Sequence, residues 1–155
     1  MTVNVDKALA YRFEPLVVAA GRDRLAFFAK ATGQTDPVYY DPDAAKAAGH
    51  PDLPIPPSFY FSLELERPDP FAWMTALGID LSRILHGEQS FTYHAMAHAG
   101  DSLVLRSRIV DVVVKKQGAL ELLTKETSVT RDEQPIAEVS TLIAVLNPAE
   151  SEAAR

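Results

Sequence analysis

The stretch SLVLRSRIVDVVVKKQGALELLTKETSVTRDEQPIAEVSTLIAVL, residues 102–146, decides the fold. It divides into three long runs rich in Val, Ile, Leu and Thr: Ser102–Val114, Ala119–Thr130 and Ile136–Leu146. KKQG and RDEQP separate them. Such runs, bounded by turn formers, read as strands joined by hairpin connections. Just upstream, Gln89–Ala97 has the same character and is separated from Ser102 by AGD, so the expectation is a four-stranded antiparallel meander. Each strand exceeds the usual length of about 5–6 residues, which requires the sheet to curve strongly or to continue into another subunit.

The residues before the sheet read as helices and loops. A short strand is expected over Leu16–Ala20. In GRDRLAFFAKATG, Leu25, Phe28, Ala29 and Thr32 recur at helical spacing, and Gly33 stands where a left-handed cap ends the helix. A second, short helix is expected over Asp43–Ala48, with Asp41 as N-cap, Pro42 at the first turn and Gly49 as terminator. HPDLPIPP, His50–Pro57, carries four prolines and is neither helix nor central strand. A third helix follows from Ser58, its expected N-cap, while Arg67–Gly87 favours no single element. Helices first and strands afterwards give the α+β class, a long central helix wrapped by a curved antiparallel sheet. The open sheet edge favours pairing with a second chain.

Composition narrows the function. The chain has 155 residues, no cysteine and a formal charge of −6. Disulfides, thiolate nucleophiles and zinc–sulfur sites are therefore excluded. The longest basic run is the pair Lys115–Lys116, which argues against a nucleic-acid-binding face. Arg106, Arg108, Lys115 and Lys116 read as surface charge that is able to meet a phosphate. No apolar stretch begins the chain as a signal peptide would, and none approaches the ~20 residues that span a bilayer. The expectation is a cytoplasmic protein without membrane contact: one domain over residues 1–148 and a polar tail over 149–155.

No phosphate loop, HExxH or GxSxG motif is present. His94 and His98 share strand parity, but no carboxylate accompanies them at ligand spacing, so no metal is expected. His86 precedes Gly87, read as a sharp turn into the first long strand, and HGEQ either serves that turn or lines a subunit junction or pocket. In ATGQTDPVYYDPD, Asp36 lies before Pro37 and is driven out of helical geometry. Two readings stay open there: a side chain held to orient a substrate or water, or a turn cap. Tyr39 and Tyr40 either anchor the loop or form pocket walls.

FAKATGQTDPVYYDPDAAKAAG, PIPPSF, ILHGEQSFTYH and AGDSL, in that order, resemble the MaoC-like (R)-specific hydratases and dehydratases. The likeness is to their N-terminal-type, fatty-acid-synthase-like dehydratase hot-dog domain, and it runs from about Phe13 to Leu146. It implies a hot-dog fold, edge-to-edge pairing, and acyl-CoA or acyl-ACP thioesters as substrates, with no cofactor. Active members carry a loop resembling G-D-x-N-P-[LIV]-H-x-D, whose Asp and His do acid–base work. Gly33, Pro37, Val38 and Asp41 keep their places. The aspartate position holds Gln34, the asparagine position Asp36 and the histidine position Tyr39. An amide takes no proton at neutral pH, and a phenol is a poor base there.

The resemblance therefore implies a (3R)-3-hydroxyacyl-thioester dehydratase subunit that binds the acyl chain and pairs, as a homo- or heterodimer, with a catalytic MaoC-type subunit. Gln34, Tyr39, Tyr40, Ile55, Pro57, Phe59, His86 and Gly87 are its candidate substrate-binding residues. Asp36 is the remaining candidate catalytic group. The alternatives are a self-sufficient hydratase using Asp36, helped by Tyr40 or His86, and a non-enzymatic acyl-thioester-binding or assembly module.

Overall fold

The computed structural model describes residues 3–147; the expected tail, residues 149–155, and the domain limit at 148 lie outside them. Among the described residues five strands form one antiparallel sheet: β1 (Leu16–Val18), β2 (Ile84–Tyr93), β3 (Leu103–Lys115), β4 (Leu120–Arg131) and β5 (Gln134–Leu146). Their order across the sheet is β1-β3-β4-β5-β2. The α+β class stands, and both downstream hairpins form where the turn residues place them. Lys116, Gln117 and Gly118 take positive φ of 49°, 55° and 92° between β3 and β4. Asp132 and Glu133, at φ 49° and 64°, join β4 to β5 as a two-residue loop with both residues left-handed.

The meander fails at its first strand. β2 spans Ile84–Tyr93 rather than Gln89–Ala97, and it pairs with β5 instead of β3. The cause is a competitor for backbone hydrogen bonds. Ala97 accepts from the Ile55 amide at 2.9 Å, and Ala99 donates to the Leu53 carbonyl at 2.8 Å. The proline-rich loop thus takes up residues 97–99, with a bridge between Pro54 and His98, and AGD ends a crossover rather than a hairpin. His94 and His98 consequently share no strand. Gly87 is not a turn either: it sits within β2 at a bulge, where an added Cβ would lie 3.3 Å from the Leu142 carbonyl oxygen. Glycine is needed there for close backbone approach.

Among the described residues five α-helices cover one face of the sheet: α1 (Val5–Leu9), α2 (Arg22–Ala31), α3 (Pro42–Ala47), α4 (Phe59–Leu63) and α5 (Ala72–Ala76). In α2 the predicted stripe is buried at Leu25 and Ala29 and partly at Phe28, whereas Thr32, at the C-cap, is exposed. Gly33 leaves it at φ 74°. α3 is capped by Asp41, whose carboxylate accepts from the Asp43 amide at 2.9 Å. The expected long central helix is instead α4 with one 3-10 turn, Glu64–Glu66. It stops because Arg67, which precedes Pro68, is extended at φ −60° and ψ 143°. Ser58 does not cap it: its own backbone is already helical and its side chain makes no capping bond.

The core lies on the helix-covered face in two parts. One gathers Leu25, Leu53, Phe59 and Leu63 over Leu103, Leu105, Val129 and Val139. The other gathers Ala8, Trp73 and Met74 over Ile109, Leu123, Ile143 and Val145. Polar residues run inward between them: Lys125, Thr127 and Thr141 are all buried. The register sets Thr141 beside both Lys125 and Gln89, and Thr127 opposite Ser107. At the far end of β4 the buried Glu121 receives the Val3 amide at 2.8 Å and the Asn147 side chain at 2.7 Å, fastening both ends of the described residues to the sheet.

The β4–β5 loop generates a direct test. A non-glycine residue in the left-handed region costs roughly 1–2 kcal/mol, partly offset in glycine by greater freedom of the unfolded chain. Glu133→Gly is expected to stabilise the protein by about 0.5–1 kcal/mol in urea denaturation. A loss of stability would mean that the Glu133 side chain makes up for its backbone conformation.

Candidate functional site

The loop leaving α2 is knitted by its own side chains. The Gln34 side-chain oxygen accepts from the amides of Thr35 at 2.9 Å and Asp36 at 3.1 Å. Asp36 accepts from the Val38 amide at 3.1 Å and caps the 3-10 turn Pro37–Tyr39. The Tyr40 hydroxyl donates to the Gln34 carbonyl. Of the two sequence readings for Asp36, the geometry realises the turn cap. A carboxamide fixed on two backbone N–H groups positions the chain, but it has no proton to exchange.

Tyr39 leaves this loop toward a groove of about 270 Å³ that it lines with Ile55, Pro57, Tyr60, Tyr93 and Met96. Ile55 and Tyr60 are buried, while Tyr93 and Met96 are half-exposed at its rim. Burial pushes the Tyr60 hydroxyl up to about 12 and raises that of Tyr93. Both phenols are therefore protonated at neutral pH, and they supply neutral polar atoms to a mostly apolar surface. Tyr93 also stacks on Phe91, with ring centroids 5.9 Å apart.

The candidates from the sequence thus divide. Tyr39, Ile55 and Pro57 meet in the groove, with Gln34, Asp36 and Tyr40 in the adjoining loop. Phe59 turns away: its ring meets Phe28 edge-on at 5.0 Å and lies under Arg24. His86 lines a second cavity and approaches Phe61 at 5.1 Å, so Asp36 and His86 share no pocket among the described residues. Sequence reading missed Tyr93 and Met96, because their place depends on where β2 ends.

It also missed a histidine cluster. His98 is buried, with Nε2 3.2 Å from His50 Nδ1. Its amide donates to Asp101 at 2.8 Å, and Arg131 holds the same carboxylate at 2.6 Å. Asp52, two residues after His50, is pulled down to about 2 by its hydrogen bond to Arg22. Burial lowers the proton affinity of His98, and neighbouring His50 and Arg131 act in the same direction against Asp101 and Asp52. The cluster pins the proline-rich wall of the groove to residues 98–101. No three His, Cys, Asp or Glu side chains converge as metal ligands among the described residues.

The second cavity, of about 110 Å³, opens between α4, α5 and the sheet. Its inner wall carries the ion pair of Glu64 with Lys125, both nearly sealed from solvent. Lys125 also lies 6.0 Å from the centre of the Trp73 ring.

Comparison with known proteins agrees with this architecture. The family model described as "FAS1-like, dehydratase domain region" matches residues 7–139. A UPF0336 protein of Streptomyces coelicolor is 39% identical over 107 residues, 68% of this chain and 71% of that protein. One from Thermobifida fusca is 34% identical over 147 residues, 92% and 94% of the two chains. Among solved structures, the ChsH1–ChsH2 complex of Mycobacterium tuberculosis is similar with a TM-score of 0.73 at 22% identity, covering 93% of this chain and 89% of that one. The truncated HadBC (3R-hydroxyacyl-ACP dehydratase) complex of the same organism gives 0.69 at 22%, covering 86% and 92%. A MaoC-like dehydratase from Phytophthora capsici gives 0.76 at 19%, this chain spanning half its length. At these identities the likeness establishes the fold, which is the hot-dog fold with a shortened central helix. No helix among the described residues is long and apolar enough to cross a membrane.

Two measurements test this geometry. His98 binds its proton less readily when folded, so its contribution to stability is complete above the ordinary histidine range, near 6.5. It is lost as pH falls through the lower folded value. Thermal melts should therefore weaken from pH 7.5 to 5 in the wild type, and this slope should flatten in His98→Gln; an unchanged slope would remove His98 as its source. For the buried pair, Lys125→Met alone should cost about 3–5 kcal/mol by leaving Glu64 unpaired, whereas Glu64→Met with Lys125→Met should be near neutral or stabilising. Denaturant titration separates the two variants, and equal losses would contradict the pairing.

Proposed function

Because the chain belongs to the FAS1-like dehydratase family of MaoC-like hot-dog domains, we propose that it is the acyl-chain-binding, catalytically substituted subunit of a (3R)-3-hydroxyacyl-thioester dehydratase. Its partner is a MaoC-type hot-dog subunit that supplies the Asp and His. The observation that carries this reading is the loop Gly33–Asp41. By the family resemblance Gln34 and Tyr39 stand at the acid–base positions, and Gln34 Oε1, Asp36 Oδ1 and the Tyr40 hydroxyl bond within the loop itself.

Two features support the division of labour. The groove beside Tyr39 is mostly apolar and, at about 270 Å³, large enough for part of an acyl chain, and its rim residues, Tyr93 and Met96, are left half-exposed. β2 is an open edge of the sheet that ends at that rim, with Leu85 and Tyr93 exposed along it. A partner strand added to β2 would satisfy its free backbone groups and bring a second chain beside the groove. Two of the similar structures are of complexes, ChsH1–ChsH2 and HadBC, and the latter is described as a 3R-hydroxyacyl-ACP dehydratase.

The test is hydration of enoyl-CoA by the purified chain, by a co-expressed MaoC-type partner with an intact Asp and His, and by the two together. The chain alone should be slower than the co-purified pair by at least about a hundredfold, the scale on which acid–base groups act. Full activity of the purified chain alone would overturn the proposal. Acyl-CoA binding without turnover, even in the pair, would replace it with a non-enzymatic binding module.

A further inference from the structure

The histidine cluster stands outside the groove but against its proline-rich wall. His50 Nδ1 and His98 Nε2 face each other at 3.2 Å, with His98 buried and His50 half-buried. His98 lies between Ala97 and Ala99, the two residues that carry the wall's backbone hydrogen bonds to Ile55 and Leu53. Its amide donates to the Asp101 carboxylate, which Arg131 also holds. Arg131 donates in addition to the carbonyl of Met96, at the groove's rim, at 3.3 Å. One network therefore joins the wall, residues 50–57, to the rim.

A contact between two imidazoles holds only in certain protonation states. Of the two facing nitrogens, one must donate and the other must accept. The neutral pair satisfies this, and so does a pair carrying one extra proton. Two extra protons put an N–H on both facing atoms and two positive charges at contact distance, which repel steeply where water is scarce. We infer that the His50–His98 pair is a proton-operated latch on the groove: it holds the wall while at least one ring is neutral and releases it when both are charged.

The surrounding charges leave that repulsion unanswered. Asp101 Oδ2 lies 3.9 Å from His98 Nδ1, but this carboxylate is already paired with Arg131 of β4. Asp52, on the wall, is paired with Arg22 of α2 and also feels Lys46 of α3. From α4, Tyr60 faces Asp101 and Arg131 as a neutral phenol. His94 lines the groove as well, but its partner is Glu138 of β5. Burial keeps the proton affinity of His98 low, so release belongs to the acid side of the ordinary histidine value, about 6.5. Ile55 and Pro57 are wall residues that line the groove, so release reshapes it.

Amide hydrogen exchange of the purified chain, followed by NMR, tests the latch. The amides of Ile55 and Ala99 report on the wall, and amides paired between β4 and β5 report on the core. From pH 7 to pH 5 the protection of Ile55 and Ala99 should fall about tenfold, the scale of an opening that takes up one proton. At pH 5 it should lie at least about tenfold below that of the core. His50→Gln keeps a hydrogen-bonding side chain but takes no proton, and it should reduce the fall to less than about threefold. His98→Gln gives the same readout should the first variant fail to fold, whereas His94→Gln should leave the fall in place. Constant wall protection in the wild type, an undiminished fall in the latch variant, or loss of the fall in His94→Gln would overturn the inference. Equal protection of wall and core at pH 5 would do so too, because the wall would then open only with the whole chain. The latch needs neither a ligand nor a partner chain, so it and the proposed function can fail separately.

Discussion

The ion pair of Glu64 with Lys125 is the constraint around which the rest of the chain is arranged. It joins the centre of the inward sheet face to the last helical turn after α4. Taking two charges out of water is expensive unless they are paired, so helix and sheet must stay in register at this point. The apolar core divides on either side of it, one part under α2 and α4 and the other under α1 and α5. Ser107, Thr127, Thr141 and Gln89 extend the polar band across the strands through side-chain hydrogen bonds. A hot-dog sheet around a longer apolar helix would need no such band. Here α4 ends early, and the space beyond it becomes a cavity instead of core.

The groove depends on a second, weaker fastening. Residues 50–57 form its wall, and they are held by three contacts: the Asp52–Arg22 ion pair, the backbone pairing with residues 97–99, and the His50–His98 contact. Proline supplies stiffness within that wall, but stiffness does not choose a location. Location comes from residues that are distant in sequence. The same segment that fixes the wall also ends β2, so the groove's rim and the open sheet edge are products of one rearrangement.

Much of this was legible in the residues. The α2 stripe, the caps at Gly33, Asp41 and Gly49, and the hairpins after β3 and β4 are local, and each was placed by periodicity or turn chemistry. The turn of the Gly33–Asp41 loop is legible too, because Gly33 ends α2 and Asp36 precedes Pro37. The expectation for β2 fails through long-range competition: residues 97–99 follow a strand-like run, but Leu53 and Ile55 take the hydrogen bonds of Ala97 and Ala99. His98 was read as a strand residue for the same reason. A lysine within a strand is ordinarily at the surface, and only the alternation of buried residues along β4 turns Lys125 inward.

The sequence by itself determined the strands downstream of residue 102, the turn residues between them, and the end of α2 at Gly33. These follow from interactions spanning a few residues, where propensity and spacing carry the information. Tertiary structure alone decided that β2 joins β5, that Tyr39 meets Tyr93 at one groove, and that Glu64 meets Lys125 beneath a shortened helix. Those pairings bring together residues 44 to 61 positions apart, and only the competition for burial and backbone partners in the whole fold selects them.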